Sequence, residues 1–319
     1  GSAVFAIDVQ VPGMLYAAVK ACPVPWGRLI RYDDSAIMRR PGIHAVVALK
    51  AVPGKTDLSD LQDAIAVVAD HWWQAKTALD ALPIEWDAGS AASLSTESER
   101  AEAKRLLETQ GEVITEGDGT LAAIAAAEKV LSADYDRPWE THARMEPINA
   151  TASVTPERVD VWAPTQDQSV ALQLAADQAG RDTKDVYVHT VFLGGAFGGN
   201  GGGGTAVTRQ ATELSMRLKR PVKVIWTREE DMTQGRCHPI MMCKLTGAFD
   251  ANKNLTGVHM RLSGQSILAS VRPAVLAAQK GRDPLVFQGV FDGGEHGLGY
   301  EFPNQLMDHA MRNTHIPPG

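Results

Sequence analysis

Residues 193–205 read LGGAFGGNGGGGT, and this glycine-rich stretch decides how the surrounding chain is interpreted. A strand-like segment, Val186–Phe192, leads into it, and a helix-like segment, Thr205–Lys219, leads out of it. Glycine has no side chain, so its backbone N–H groups can approach an anion or a flat ligand closely. Bare backbone beside a helix N-terminus predicts a site that holds a phosphate-bearing cofactor.

The same stretch also matches a dinucleotide-binding pattern. Residues 199–204 fit G-x-G-x-x-G, and the acidic residues Glu229, Glu230 and Asp231 follow the next predicted strand. Four consecutive glycines satisfy almost any glycine pattern, so a mobile surface loop stays an alternative. A P-loop is excluded, because no Gly-Lys-Ser/Thr follows.

Composition limits the classes of protein that the chain can represent. It has 319 residues, a formal net charge of −7 and 22% charged residues, which argues against broad nucleic-acid binding. No stretch is apolar for ~20 residues, as a membrane span requires. The three cysteines, Cys22, Cys237 and Cys243, are too few to ligate an ordinary iron–sulfur cluster. If the protein performs redox chemistry, we expect electrons to leave through another chain.

Local patterns predict an α+β fold. Apolar runs and turn residues predict a first group of strands and one helix before residue 90. Residues 90–120 are rich in Ser, Glu and Ala, which predicts a linker or long loop with a surface helix over 97–107. The strands of the first group are predicted at 5–9, 15–19, 43–49, 64–68 and 84–86, with a helix at 72–81. Later elements are helices at 121–131, 168–179 and 205–219 and strands at 159–162, 186–192, 222–226, 241–249 and 255–263.

Three polar groups stand out as candidate functional residues. Gln166 follows the segment Trp162-Ala163-Pro164-Thr165 and offers a neutral donor and acceptor suited to an oxo group or a carbonyl. Arg144-Met145-Glu146-Pro147 forms an ionic cluster before a strand. Cys237 and His238 are adjacent, and adjacent residues rarely converge on one ion, so we interpret them as part of a packed loop.

These motifs together resemble the molybdenum hydroxylases, the xanthine dehydrogenase and aldehyde oxidase family, and especially the large molybdopterin-binding subunit of the isoquinoline 1-oxidoreductase type. The order of the motifs fits over nearly the whole chain, and thirty-two residues separate Gln166 from Gly198, as in the family. Four early segments resemble the α/β-hammerhead domain: 11–17, 22–25, 33–36 and 41–43. Four later segments resemble the first molybdopterin-binding domain: 145–147, 162–166, 194–199 and 227–232.

The resemblance implies a role for each residue of the candidate cofactor site. Gln166 would hydrogen-bond the apical oxo ligand of molybdenum, and Phe197 and Gly198 would contact the metal–dithiolene face through backbone groups. Gly194, Gly195 and Gly199 would shape that loop. The pterin dithiolene, rather than any protein side chain, would ligate the metal, so no metal-ligating residue is expected in this chain.

The resemblance also implies a domain organisation and partners. We expect a hammerhead-like domain at 1–115, with the linker starting near residue 90, and a molybdopterin-binding α/β domain with mixed sheets at 116–319. The cofactor would be molybdenum–molybdopterin, in its cytosine dinucleotide form. The partners would be a small 2Fe–2S electron-transfer subunit, a cytochrome c subunit and a small-molecule substrate, in the bacterial periplasm or cytoplasm.

One departure from the family concerns activity. The family's catalytic glutamate lies in a later Gly-x-Gly-Glu segment, which is not found after Gly299. We therefore expect an internal piece of a longer enzyme that hydroxylates N-heteroaromatic compounds or oxidises aldehydes with water as the oxygen source. The piece alone would be inactive and without cofactor. Asn200-Gly201 stands where xanthine dehydrogenases carry a substrate-orienting glutamate, which argues against purine recognition. A nucleotide-dependent oxidoreductase and a non-catalytic interaction module remain alternatives.

Overall fold

A computed structural model describes residues 1–51, 62–115, 119–201, 206–287, 300–316 and 318–319. Fourteen strands are found in this described part. They are β1 (Leu15–Ala21), β2 (Arg28–Tyr32), β3 (Ile43–Leu49), β4 (Ala64–Ala69), β5 (Ile84–Asp87), β6 (Glu112–Thr115), β7 (Lys129–Arg137), β8 (Asn149–Val154), β9 (Val159–Trp162), β10 (Val186–His189), β11 (Val222–Ile225), β12 (Met241–Phe249), β13 (Leu255–Gly264) and β14 (Gln305–Met311).

Eight α-helices accompany these strands in the described residues. They are α1 (Trp72–Asp80), α2 (Thr96–Leu106), α3 (Thr120–Ala125), α4 (Gln168–Ala179), α5 (Ala206–Leu218), α6 (Arg228–Thr233), α7 (Ile267–Val271) and α8 (Pro273–Ala278). Local sequence fixes the ends of α4: the Asp167 side chain accepts a hydrogen bond from the N–H of Val170, and Gly180 ends the helix at φ +62°. In the described part of the chain, no helix has the length and apolar character to cross a membrane.

The chain folds into two compact units that alternate along the sequence. The first unit comprises Gly1–Ser93, Thr141–Arg236 and Gly319. Its main sheet has seven strands in the order β10-β9-β8-β11-β1-β4-β3, with both parallel and antiparallel neighbours. The residue pairs Leu15↔Val222 and Val186↔Val159 set the parallel registers.

Strand β4 explains how this sheet is held between two cores. Its sequence is AIAVVA and every residue is buried, which is typical of a strand covered on both faces. Ala64, Ala66 and Val68 join the core that includes residues of α4 and α5, whereas Ile65 and Val67 join the core beneath α1. Helix α5 is buried from Val207 to Ser215, because it packs on β8 and β11.

The second unit comprises Leu94–Glu140 and Cys237–Pro318. Its sheet has five strands in the order β6-β14-β13-β12-β7, and β13 pairs with β14 in parallel. Helices α2 and α3 lie against this sheet, with Ala103 and Leu107 packing on Met242. Leu262, Phe287 and Met307 form a further core in the same unit.

Most elements predicted from periodicity are confirmed. The strands at 15–19, 43–49, 64–68, 84–86, 159–162, 222–226, 241–249 and 255–263 and the helices at 72–81, 168–179 and 205–219 are found within two residues of the expected bounds, apart from Thr205, which lies outside the described residues. The mixed α+β fold with mixed sheets is therefore confirmed.

Four predictions of local structure were wrong. Residues 5–9 form a 3-10 turn, Ala6–Asp8, rather than a strand. The helix predicted over 121–131 ends at Ala125, and its last residues belong to β7. The surface helix predicted over 97–107 is confirmed as α2, but the predicted linker over 90–120 also contains strand β6, which pairs with β14. Strand β10 ends at His189, three residues before the predicted end. The domain boundary at 115/116 stays a prediction.

Candidate functional site

The loop that follows β10 has an irregular backbone at the residues predicted to contact a ligand. Gly195 and Gly198 have φ values of +99° and +98°, which L-residues with side chains rarely adopt. Phe197 lies between them with φ +53°, and 69% of its surface is exposed. A bulky residue in the left-handed region costs conformational energy, so the surrounding contacts must hold this backbone in place.

Gln166 is bound to this loop through Asn200. The N–H of Asn200 donates to Oε1 of Gln166 at 3.2 Å, and the N–H of Gln166 donates to the Asn200 carbonyl at 2.8 Å. A backbone N–H can donate only to the amide oxygen, so this contact sets the orientation of the Gln166 amide. Its Nε2 group therefore points away from Asn200, on an exposed side chain that follows β9.

Glu146 holds the first glycine of the loop. Oε2 of Glu146 accepts the N–H of Gly194 at 2.8 Å, and the Glu146 N–H donates to the Gly194 carbonyl at 3.0 Å. A Cβ on Gly194 would lie 2.4 Å from the Cβ of Glu146. The two backbones can approach this closely only because residue 194 is glycine.

A buried ionic cluster supports the second half of the loop. Nη2 of Arg144 lies 2.7 Å from Oδ1 of Asp231, and Nη1 of Arg228 lies 2.7 Å from Oδ2 of the same carboxylate. Only 5% of Arg144 and 8% of Asp231 are exposed. Burial raises the pKa of Asp231 and lowers the pKa of Arg144, while the charge of each partner opposes these shifts. A Cβ on Gly199 would lie 2.3 Å from Nη1 of Arg144.

The loop carries polar groups that have no hydrogen-bond partner among the residues that the structure describes. Within the described residues, the N–H groups of Phe197 and Gly198 donate to no protein acceptor. Asn200 is 3% exposed, and its buried Oδ1 has no hydrogen-bond partner there. These donors and the Nε2 of Gln166 fit a ligand that presents oxygen or sulfur acceptors.

The structure brings together every residue predicted for the cofactor site. Gly194, Gly195, Phe197, Gly198 and Gly199 lie in one loop, and Gln166 is hydrogen-bonded to the residue that follows them. The dinucleotide interpretation also used Gly202–Gly204, which lie outside the described residues.

The topology does not fit a dinucleotide site. Strands β9 and β8 separate β10 from β11, whereas a dinucleotide fold needs the two strands around the glycine loop and its helix to be neighbours. The acidic residues after β11 are also engaged: Asp231 pairs with two arginines, and Glu230 accepts the N–H of Ala21 at 3.1 Å.

Cys237 and His238 occupy a packed loop of the second unit. The backbone of Cys237 forms an isolated parallel β-bridge with Pro318. Burial raises the pKa of the Cys237 thiol. The N–H of His238 donates to the carbonyl of Glu140 at 2.8 Å. In the described part of the chain, no three His, Cys, Asp or Glu side chains are grouped so as to hold a metal ion.

Comparison with known protein families shows which family this chain belongs to. Residues 102–277 match the model of the molybdopterin cofactor-binding domain, which is more than half of the chain. The chain belongs to the molybdopterin cofactor-binding domain family. The matched range contains Gln166, the ionic residues Arg144 and Asp231 and the whole glycine loop.

Relatives of this molybdopterin cofactor-binding chain are longer proteins. It is 26% identical to the membrane-bound aldehyde dehydrogenase (pyrroloquinoline-quinone) of Gluconacetobacter polyoxogenes over 93% of the chain. It is also 26% identical to isoquinoline 1-oxidoreductase subunit beta of Brevundimonas diminuta over 97% of the chain. The chain spans 38% of the length of each of these relatives.

A solved structure has a similar fold. Quinoline 2-oxidoreductase from Pseudomonas putida 86 superposes with a TM-score of 0.70 and 17% sequence identity. The match covers 98% of this molybdopterin cofactor-binding chain and 42% of the solved chain. At this identity the comparison concerns the fold alone.

Sequence reasoning missed the contacts that support the loop. It identified Arg144 and Glu146 as an ionic cluster and noted Asp231 only as one of three acids after a predicted strand, without pairing it with Arg144. The structure pairs Arg144 with Asp231 and directs Glu146 to Gly194. The available signal was the charged segment at 227–232, which carries three consecutive acids beside Arg228.

Proposed function

We propose that this chain forms part of a molybdenum-dependent oxidoreductase that hydroxylates N-heteroaromatic compounds or oxidises aldehydes, with water as the oxygen source. The observation that carries the proposal is the contact between Gln166 and Asn200, which joins the predicted apical glutamine to the glycine loop. The family match over residues 102–277 supports the cofactor, and the relatives, an isoquinoline 1-oxidoreductase subunit and an aldehyde dehydrogenase, support the two substrate classes.

In this proposal the chain's own groups bind and orient the cofactor. Nε2 of Gln166 and the N–H groups of Phe197 and Gly198 would hold the cofactor by donating hydrogen bonds to its oxygen or sulfur acceptors. Gly194, Gly195 and Gly199 keep side chains out of that space. Molybdenum–molybdopterin supplies the two-electron redox chemistry when it is bound.

The finer features of the proposal come from the family resemblance. Residues 1–115 would correspond to the hammerhead-like part of the family's sequence and residues 116–319 to its first molybdopterin-binding part, and strands of both ranges share the seven-stranded sheet. The cofactor is the cytosine dinucleotide form. A glutamate outside this chain acts as the general base, so the chain alone does not turn over substrate.

The proposed partners receive the electrons. The three cysteines of this chain cannot hold an iron–sulfur cluster by themselves, so electrons pass to a small 2Fe–2S subunit and then to a cytochrome c subunit. The isoquinoline relative is named as a subunit, which supports an assembly of several chains.

Isotope labelling tests the reaction class. The full-length subunit, expressed with its neighbouring chain, is assayed with isoquinoline, nicotinate and an aromatic aldehyde in water labelled with oxygen-18. We expect the label in the product of at least one substrate, and no product from the chain of 319 residues alone. Product with unlabelled oxygen, or turnover by the short chain, would contradict the proposal.

A further inference from the structure

One carboxylate contacts two segments that are far apart in sequence. Oε2 of Glu146 accepts the N–H of Gly194 at 2.8 Å, while Oε1 accepts the N–H of Ile7 at 3.0 Å and Nδ2 of Asn149 at 3.0 Å. Glu146 itself is buried. Each oxygen therefore holds a different backbone segment, and removing either acceptor would leave a partly buried backbone donor without its partner.

The N-terminal segment, residues 4–9, is also held by contacts that do not involve Glu146. Nζ of Lys223, on β11, donates to the carbonyls of Ile7 and Val9 at 2.5 Å each, and Lys223 has 0% of its surface exposed. The N–H of Phe192 also donates to the carbonyl of Val4 at 3.3 Å. These contacts place the turn Ala6–Asp8 beside the first residues of the glycine loop.

The loop side of the contact tolerates little displacement. The N–H and the carbonyl of Gly194 are both bonded to Glu146, and a Cβ at residue 194 would lie 2.4 Å from that side chain. A shift of Glu146 would therefore move the beginning of the loop that carries Phe197 and Gly198.

We propose that Glu146 is a positioning residue of the cofactor site, which fixes the glycine loop through one oxygen and ties it to the N-terminal segment through the other. Its effect on the site would pass through Gly194, to which both its carboxylate and its backbone N–H are hydrogen-bonded. The inference rests on the proposed function only in taking the glycine loop as the part that holds the cofactor.

The variant Glu146→Gln separates the two contacts. Its amide has one acceptor oxygen, and the Ile7 side offers two donors whereas the Gly194 side offers one. The oxygen should therefore face Ile7 and Asn149, leaving the N–H of Gly194 opposite an NH₂ group. Glu146→Ala removes both contacts, and the exposed Glu157, changed to Gln, is the matched control.

Backbone hydrogen exchange of this chain, followed by mass spectrometry, tests the proposal without any cofactor. For Glu146→Gln we expect residues 193–201 to exchange about tenfold faster, while residues 5–9 keep their protection. Glu146→Ala should lose protection in both segments, and Glu157→Gln in neither. Unchanged exchange at 193–201, or a loss spread over β1 and β4, would overturn the proposal.

A second measurement uses the full-length subunit with its neighbouring chain. We expect molybdenum and pterin per chain to fall at least several-fold in Glu146→Gln and to stay at the wild-type value in Glu157→Gln. Equal loading of the two variants would overturn the positioning role. If the wild-type subunit itself contained no molybdenum, the proposed function would fail while the exchange result would still decide how Glu146 holds the loop.

Discussion

Arg144 and Asp231 form a buried ion pair, with 2.7 Å between Nη2 and Oδ1, directly against the backbone of the glycine loop. Arg228 adds a second cation to the same carboxylate. Glu146, bonded to Gly194, supplies a second carboxylate beside the loop, so the two arginines are balanced by two acids. The cluster therefore supports the backbone of the loop, in which the N–H groups of Phe197 and Gly198 are left for a ligand.

Removing the carboxylate should destabilise the first unit strongly. In Asp231→Asn the buried Arg144 loses its charged partner, and we expect the free energy of unfolding to fall by about 3 kcal/mol. Urea unfolding at neutral pH measures this. Asp182→Asn, at an exposed ion pair with Lys184, should leave the midpoint unchanged. Equal midpoints for the two variants would show that the buried pair contributes nothing to stability.

A methyl group on the loop should displace it from the arginine. In Gly199→Ala the new Cβ would lie 2.3 Å from Nη1 of Arg144 and 2.6 Å from Cγ of His142, and we expect a cost of about 1–3 kcal/mol. Gly180→Ala is the control, since its φ is +62° and no atom lies within 4 Å. Both should unfold more easily, but only Gly199→Ala should speed hydrogen exchange at 193–201. Faster exchange there in Gly180→Ala would argue against a local effect.

Lys223 should give the protein a characteristic pH dependence. Burial lowers the pKa of Lys223 to about 8, below the value of 10.5 for an exposed lysine, while Asp8 and Glu146 oppose the shift. Between these two values the unfolded chain binds more protons than the folded chain, so the stability contributed by this group rises with pH.

Comparison with Lys223→Met isolates that contribution. From pH 7.5 to pH 9 the wild type should gain about 1 kcal/mol of stability relative to Lys223→Met, as judged by urea unfolding at each pH. Lys184→Met, at an exposed lysine, should show no such trend relative to the wild type. A constant difference between wild type and Lys223→Met across this range would mean that Lys223 does not titrate there.

Gln166→Glu should separate loop structure from cofactor chemistry. A carboxylate oxygen still accepts the N–H of Asn200, so hydrogen exchange at 193–201 should match the wild type. The outward donor is lost, and we expect kcat/KM of the full-length subunit to fall roughly 100-fold. Gln168→Glu, two residues later and exposed, should keep full activity. Full activity in Gln166→Glu would exclude the proposed donor.

The fold could be predicted from sequence where local physics decides it. Asp167 and Gly180 mark the two ends of α4, and the apolar run at 64–69 marks a strand buried on both faces. The strand predicted at 5–9 was wrong because backbone groups of this segment bond to the distant side chains of Glu146 and Lys223 rather than to a neighbouring strand. The helix predicted over 121–131 was too long because its alanine-rich pattern runs on into residues 129–131. These residues belong to β7, which is stabilised by pairing with β12.

The candidate site divides in the same way. Gln166 and the loop glycines could be predicted from sequence, because they lie in motifs with a recognisable residue type, order and spacing. The contacts by which Arg144, Glu146 and Asp231 hold the loop join segments 48 to 139 residues apart, such as Glu146 with Gly194 and Glu146 with Ile7. No local pattern reports such pairings, so their roles emerged only from the folded chain.

The content of molybdenum and pterin tests the central claim most directly. The full-length subunit, purified with its neighbouring chain, should contain about one molybdenum and one pterin per subunit, and Gln166→Glu should still retain them. A full-length subunit that carried no molybdenum, or that carried pyrroloquinoline quinone in its place, would contradict the account.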